Sequence, residues 1–476
     1  STDLQTYPEY KDSGLPWLGS IPRHWGCLPH RAIFEEIKEQ GHVNEPLLSV
    51  TIGRGIIRQE DLLANSSKKD SSNLDKSKYK LVEPGDIAYN KMRAWQGAVG
   101  VSKYRGIVSP AYIVQRLRNQ LRPEYFHYLF RTPGFAKEAE RWSYGITSDQ
   151  WSLRPQHFKM IYSCVPPLDE QELIVGFLRD FDRQVRRFIR NRGRLIEVLN
   201  EQKQAIINRA VTRGLNPDVP LKPSGIDWLG DIPEHWDVRR LKHLLLRPLT
   251  YGANAAAELS NRNCPRYIRI TDIDKSGRLR NDSFRSLPPN VAEPYMLHDG
   301  DILLARSGAT VGKSFMYRSE QDGPATHAGY LINARVDQRK VLPAYLYACL
   351  QSGGYWRWIA SITIQATIQN VSADKYANLW IPVPPVDEQH SIIESVENET
   401  ALPMALSSRA QCEIDLIREY RTRLIADVVT GKVDVRHLAP PPGSEDSEKM
   451  FEALEPLEDD ITDGMMDEEE PTDETD

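Results

Sequence analysis

Ser13-Gly14-Leu15-Pro16-Trp17-Leu18-Gly19-Ser20-Ile21-Pro22-Arg23-His24-Trp25 returns 211 residues later as Ser224-Gly225-Ile226-Asp227-Trp228-Leu229-Gly230-Asp231-Ile232-Pro233-Glu234-His235-Trp236. Further along, Pro166-Pro167-Leu168-Asp169-Glu170-Gln171 returns as Pro384-Pro385-Val386-Asp387-Glu388-Gln389 at an offset of 218, so the two halves differ in length by seven residues. Solenoid units run about 20 to 50 residues, which makes this period a duplicated domain with its connector. Two similar surfaces on one chain suit a two-fold or bipartite target.

The 476 residues leave room for at least two cores, since domains average about 100 to 200 residues. Forty per cent hydrophobic residues and a mean hydropathy of -0.51 describe a soluble globular chain. No apolar run reaches the roughly 18 residues of a membrane span, and residues 1–5 lack the basic-then-apolar pattern of a secretory leader; a cytoplasmic protein is expected. The five cysteines (Cys27, Cys164, Cys264, Cys349, Cys412) lie at least 63 residues apart. No CxxC pair seeds a zinc site and no disulfide framework is suggested, so packed, reduced thiols are expected. The net charge of -6 is unevenly spread: residues 439–476 hold 16 acids and one lysine, a net -15, which leaves +9 on the rest. A mildly basic body with an acidic tail, read as disordered, suits a polyanion partner modestly.

Strand patterns fall at Leu47–Ile52, Asp86–Asn90, Gly106–Val114, Tyr267–Thr271, Asp301–Ala305 and Gly329–Val336, and proline-headed helices at Pro123–Arg131 and Pro343–Gln351. After Pro167 the pattern changes. Ile174, Phe181, Phe188 and Leu195 recur every seven residues, interleaved with Leu178, Val185, Leu199 and Ile206, a seam that Arg192 and Gln202 interrupt. A helix over 169–212 would be about 66 Å long at 1.5 Å per residue, and such a seam needs a partner. Asp387–Thr430 supplies one, with Ile392, Val396, Leu406, Ile417, Leu424 and Val428 apolar, although Pro403 is expected to kink or break it. An antiparallel pair acting as a spacer is expected; the alternative packs each helix on its own domain. Between Arg179 and Arg213 ten basic residues face four acids, a stripe that suits DNA, an acidic partner or solvent.

Several motifs suggest chemistry without completing it. Gly308-Ala309-Thr310-Val311-Gly312-Lys313-Ser314 has three residues between its glycines where a phosphate loop has four, and reads as a turn. Ser109-Pro110-Ala111-Tyr112 and Gly329-Tyr330 read as strands with a core tyrosine. His24 and His235 read as packing residues, and Pro217-Asp218 lacks a nuclease partner motif downstream. No complete catalytic constellation is present.

A repeated frame around unlike loops is more informative. Pro84-Gly85-Asp86-Ile87-Ala88-Tyr89-Asn90-Lys91 matches Asp299-Gly300-Asp301-Ile302-Leu303-Leu304-Ala305-Arg306, yet Met92-Arg93-Ala94-Trp95-Gln96-Gly97 differs from Ser307-Gly308-Ala309-Thr310-Val311-Gly312-Lys313. The segments Tyr144–Trp151 and Thr363–Asn370 diverge too. Base edges are read by Arg, Lys, Gln and Asn side chains held on a fixed support. Candidate DNA-binding residues are therefore Lys91, Arg93, Trp95, Gln96, Tyr144, Thr147, Ser148 and Gln150 in one half, and Arg306, Thr310, Lys313, Gln365, Thr367, Gln369 and Asn370 in the other.

The doubled Trp-Leu-Gly-x-Ile-Pro-x-His-Trp segment, the Gly-Asp-Ile turn and Pro-Pro-x-Asp-Glu-Gln before a long helix together resemble the specificity (HsdS) subunit of type I restriction-modification systems, over residues 1–438. The resemblance implies an α+β fold: two pseudo-repeated α/β target recognition domains separated by a pair of long antiparallel coiled-coil helices. Its layout would be recognition domains over 1–165 and 224–383, spacer helices over 166–213 and 384–438, a linker over 214–223 and the acidic tail from 439. It implies a non-catalytic subunit that reads a two-part target in double-stranded DNA and binds no cofactor or metal. It further implies two methyltransferase subunits that use S-adenosylmethionine, and restriction and motor subunits that use ATP with Mg2+. A protein-interaction scaffold built on the coiled coil, without DNA reading, is the alternative. The acidic tail falls outside the family pattern and reads as a disordered appendage, a DNA-mimicking brake or a partner site.

Overall fold

Two proline-headed helices, α1 (Pro123–Phe130) and α3 (Pro343–Cys349), and two long ones, α2 (Leu168–Arg213) and α4 (Val386–Val429), frame the chain. Proline at the first helical position gives up only an N–H that a helix start leaves unpaired. Asp169 and Glu170, and likewise Asp387 and Glu388, put negative charge in the first turns of α2 and α4, where the helix dipole favours it. The computed structural model describes residues 4–63, 75–145, 151–274, 277–363 and 370–438; the acidic tail lies outside them. Among the described residues no helix is long and apolar enough to cross a membrane.

Contacts divide the chain into two units, Ser1–Arg192 with Cys412–Asp476, and Gly193–Gln411. Both long helices are cut near their middles, so each contributes one half to each unit. The first unit holds a four-stranded antiparallel sheet in the order Phe34–Ile37, Tyr112–Leu117, Ile87–Asn90, Val99–Val101. Phe34, Phe130, Phe135 and Phe158 pack around the buried His30 in its core, with Phe126 against Phe34. The second unit repeats the order with Thr250–Tyr251, Leu331–Ala334, Ile302–Ala305 and Ser314–Met316. A two-stranded antiparallel pair precedes each long helix, Gly26–Pro29 with Tyr162–Val165 and Asp237–Arg240 with Trp380–Val383.

The repeated motifs turn out to grip one another. Glu170 is buried and accepts hydrogen bonds from the Trp25 indole (3.0 Å) and the Tyr7 hydroxyl (2.5 Å), with His24 Nε2 at 2.7 Å. Glu388 does the same for Trp236 (3.1 Å) and His235 (2.8 Å). The neighbouring amide secures the proline-headed helix: Gln171 accepts from the Arg122 N–H and Gln389 from the Leu342 N–H, at 2.9 and 2.8 Å. His24 and His235, expected to be packed, are exposed at the surface and meet the structure through these carboxylate bonds. At the far end of α4, Gly431 has φ +77 and lies against Pro22 and Trp25; Gly214, beyond α2, has φ +70 and lies against Trp236. Only glycine adopts that backbone without strain and leaves room for the tryptophan.

Within the first unit, Leu178 of α2 and Leu424 and Val428 of α4 share one core, and Val185, Ile189 and Ile414 are buried as well. Asp182 is fully buried in this seam and accepts both Arg421 Nε (2.7 Å) and Nη2 (3.1 Å), with the Tyr128 hydroxyl at 3.2 Å. Arg192 pairs with Glu413 at 2.8 Å; partner numbers fall as α2 numbers rise, so the segments are antiparallel. In the second unit Ile207 and Ala210 pack in one core with Ile392 and Val396, and Arg209 meets Glu399 at 3.1 Å.

Five expectations need correction. Pro403 does not interrupt α4; it is buried, seven residues from Val396 and seven from Ala410. Apolar burial of its ring works against the loss of the backbone bond it forfeits. Leu406, expected in the seam, is 41 % exposed, and Phe181, Phe188 and Leu195 lie half-buried at its edge. The strand expected over 106–114 splits into Gly106–Val108 and Tyr112–Leu117, because Pro110 has no N–H for a ladder and sits in a turn closed by Tyr112 N–H to the Ser109 carbonyl. Tyr112 is consequently half-buried, and Tyr330 is exposed, so neither is a core residue. The strand expected over 267–271 stops at Ile268, where Asp272 takes the Arg269 N–H and guanidinium and starts a 3-10 turn.

Glu170→Ala strands the Trp25 and Tyr7 donors in a closed core. It is expected to cost about 3 kcal/mol or more, against about 1 to 2 kcal/mol for Glu388→Ala, whose carboxylate is partly exposed; urea unfolding of the two variants measures the difference. His30, bonded to Ser163 Oγ at 2.8 Å, is pushed down to about 3 by burial. Its folded value lies below its unfolded one, so the stability it contributes is full above about pH 6.5 and falls by at most about 1.4 kcal/mol per unit as pH drops. His30→Phe should flatten that part of the stability profile.

Candidate nucleic-acid interface

The Gly-Asp turns come first, because they aim the strands. Asp86 takes the Glu83 N–H at 2.9 Å and accepts from Arg116 Nε and Nη2 at 2.7 and 2.8 Å. Asp301 takes the His298 N–H at 2.9 Å and pairs with Arg335 at 2.8 and 2.7 Å. Burial works against the Asp301 charge, but Arg335, the His298 N–H and Asn333 outweigh it and hold its carboxyl below the usual range. Gly85 and Gly300, at φ +91 and +80, turn the chain against Pro123 and Pro343 at the heads of α1 and α3.

Each fixed strand ends on a basic residue held by its backbone on both sides. The Lys91 N–H donates to the Ala111 carbonyl and its own carbonyl accepts from Leu153; the Arg306 N–H donates to Tyr330 and its carbonyl accepts from Val371. Lys91 and Arg306 thus occupy equivalent places, while their surroundings differ.

In the first unit Lys91 lines an open cleft of about 630 Å³ together with Met92, Tyr144, Ser152, Arg154 and Gln156. Tyr144 is 55 % exposed and its ring meets His157 at 4.7 Å. Lys80 braces the Pro110–Tyr112 turn from below, donating to the Tyr112 carbonyl at 2.7 Å; burial, helped by the Lys91 charge, lowers its basicity. Arg93 and Gln96 are half-buried and bonded to each other, Nη1 to Oε1 at 3.3 Å. Trp95 spends its indole N–H on the Met92 carbonyl and packs against the core and Trp151. Arg154 and Gln156 were not anticipated: nothing at the matching positions of the other half repeats them, and only their closeness to the divergent 144–151 segment could have pointed there.

In the second unit the Arg306 guanidinium lies 4.9 Å over the ring of Tyr251, and Tyr251 and Tyr330 are about two-fifths exposed. Thr310 bonds the Ser307 carbonyl at 3.4 Å, Lys313 is exposed, and Asn370 bridges by its backbone to Ser307. Thr147, Ser148, Gln150, Gln365, Thr367 and Gln369 lie outside the described residues. A lysine-and-arginine cleft and a cation-on-aromatic surface can both take phosphate oxygens and stacked or edge-presented bases. Among the described residues no cluster of His, Cys, Asp and Glu could hold a metal ion.

No family model matches the chain. It is 25 % identical over 289 residues to the Type I restriction enzyme MjaVIII specificity subunit of Methanocaldococcus jannaschii, covering 59 % of this chain and 64 % of the relative. It is 22 % identical over 299 residues to the Type I restriction enzyme EcoBI specificity subunit of Escherichia coli, covering 61 % and 62 %. The chain therefore spans just under two thirds of these curated relatives. A solved chain from work on complex assembly and conformational transition of the type I R-M system superposes with a TM-score of 0.58 at 14 % identity, over 86 % of this chain and 98 % of that one, a likeness of fold.

Lys91→Ala and Arg306→Ala should shift stability by no more than about 1 kcal/mol. Asp86→Ala and Asp301→Ala, which leave Arg116 or Arg335 without its buried partner, should cost about 3 kcal/mol or more. Denaturant unfolding of the four variants separates the frame from the residues it presents.

Proposed function

We infer that this chain, which belongs to the type I restriction-modification specificity-subunit (HsdS) family, reads a two-part DNA sequence, one half-site with each unit, and does no chemistry itself. The observation that carries this reading is the equivalence of Lys91 and Arg306: one Asp-anchored frame delivers a cation to the same place twice, between loops that differ in every readable side chain. Residues 1–165 and 224–383 are the recognition domains of this proposal, and 166–213 and 384–438 the spacer that fixes the distance between half-sites.

The remaining assembly follows from the same proposal. Two methyltransferase subunits use S-adenosylmethionine to methylate adenine, and restriction and motor subunits use ATP with Mg2+, all in the cytoplasm and all outside this chain. Helix α4 offers apolar side chains for such partners: Leu402 and Leu406 in the second unit, 66 % and 41 % exposed, and Leu416 and Tyr420 in the first, 59 % and 45 %. Those exposures also favour the second reading, a protein scaffold that docks through its helices without reading DNA.

Co-expression with a type I methyltransferase subunit, followed by genome-wide mapping of methylated adenine, tells the two apart. A gapped, two-part methylated motif is expected; co-purification without sequence-specific methylation would favour the scaffold. Arg93→Ala, or Gln96→Ala on the other side of their shared hydrogen bond, should relax one half-site by about 1 to 3 kcal/mol per lost base contact and leave the other unchanged. Equal weakening of both half-sites would assign these side chains to phosphate or to the loop's own structure.

A further inference from the structure

The strands Gly26–Pro29 and Tyr162–Val165 run antiparallel with Cys27 directly opposite Cys164. Their register continues to His30 and Ile161, where the His30 N–H donates to the Ile161 carbonyl at 2.8 Å. Ladder bonds alternate along antiparallel strands. Leu28 and Ser163 are therefore a bonded pair, while Pro29 with Tyr162, and Cys27 with Cys164, are not; Pro29, which has no N–H, fits the position. The Cys164 carbonyl accordingly faces away from Cys27 and accepts from the Tyr125 hydroxyl at 3.2 Å. In such unbonded pairs the Cα atoms lie about 4.5 Å apart with both side chains on one face, inside the roughly 4.4 to 6.8 Å that a disulfide spans.

The thiol pair belongs to one copy of the repeat alone. At the equivalent place in the second unit Val238 stands opposite Pro382, so the fold needs no sulfur there. Cys164 is buried in the core, whereas Cys27 is half-buried; burial raises its thiol, and the Lys11 ammonium beside it works against that shift. One thiol is thus reachable from solvent and the other waits behind it.

We propose that Cys27 and Cys164 are a redox modification site, closing to a reversible disulfide with a low-molecular-weight disulfide such as oxidised glutathione as the oxidant. The Cys27 thiolate attacks one glutathione sulfur, forms a mixed disulfide and expels a glutathione thiolate. Cys164 then loses its proton to that thiolate and displaces the second glutathione. Two protein thiols give up two electrons and two protons, and the small disulfide receives them as two thiols. Burial pushes the Cys164 thiol up to about 12, which makes the second displacement the slow step. Outside secreted proteins, disulfides of this transient kind serve redox sensing. Reduced Cys164 lies with its Sγ 3.4 Å from the Val429 carbonyl at the end of α4; closing the bridge turns that sulfur toward Cys27 and ends the contact.

The inference is independent of DNA reading and is tested on the full chain bearing Cys264→Ser, Cys349→Ala and Cys412→Ser, incubated natively with oxidised glutathione and analysed by mass spectrometry. The expected product is two hydrogens lighter, carries linked peptides containing residues 27 and 164, and reverts with dithiothreitol. A lasting glutathione adduct on Cys27 with Cys164 still free, or two unreacted thiols, overturns the proposal. If the triple variant does not fold, peptide mapping of the unsubstituted chain decides it by the presence or absence of the 27–164 link.

Discussion

A single buried carboxylate at the head of a long helix organises each half of this molecule. Glu170 collects the Trp25 indole, the Tyr7 hydroxyl and His24, and the amide beside it, Gln171, holds the backbone N–H just ahead of α1. The carboxylate sits where the helix dipole welcomes negative charge, yet it is out of water, so it is tolerable only while those donors surround it. The His-Trp turn, the helix start and the proline-headed helix therefore stand together. Glu388 and Gln389 repeat the arrangement with one donor fewer.

That arrangement explains what the sequence could reveal. The Trp-Leu-Gly-x-Ile-Pro-x-His-Trp and Pro-Pro-x-Asp-Glu-Gln segments recur because they bond to one another, so their repetition marks the frame and not the chemistry. The Gly-Asp turns were legible for the same reason, since each Asp must meet an arginine on a neighbouring strand. Other features were hidden because they depend on partners distant in the chain. Spacing of apolar residues put Leu178 and Val185 in the α2 seam but could not add Asp182, because a buried Asp reads as polar until Arg421 is seen beside it. Pro403 reads as a breaker until its burial is known. Arg154 joins Lys91 in one cleft only through the fold, and Cys27 meets Cys164 only through strand register.

The two units are not equal copies. Where the first has Asp182, Arg421 and Tyr128 joined by hydrogen bonds, the aligned positions of the second hold Thr400, Lys203 and Ala348. Thr400 turns its hydroxyl to its own helix, onto the Val396 carbonyl, and burial lowers the basicity of Lys203. Both units keep the apolar packing, but among the described residues a charged group ties the helix pair to the proline-headed helix in the first alone. The same inequality shows at the surface, as a cleft in one unit and an exposed aromatic pair with a cation in the other.

The division of the long helices also sets an order of events during synthesis. Residues 193–411 are contiguous, so the second unit has all its parts once that stretch has left the ribosome. The first unit, though it begins at the opposite end of the chain, lacks Leu424, Val428, Val429 and Val435 of its core until that late stretch is made. Its Trp25 and Tyr125 must wait uncovered while more than two hundred residues are added, and closing so long a loop is slow as well as entropically costly. A nascent chain stopped before residue 412 would therefore carry one finished module and one open apolar surface, so quality control can distinguish truncated molecules from complete ones by exposed hydrophobic area alone.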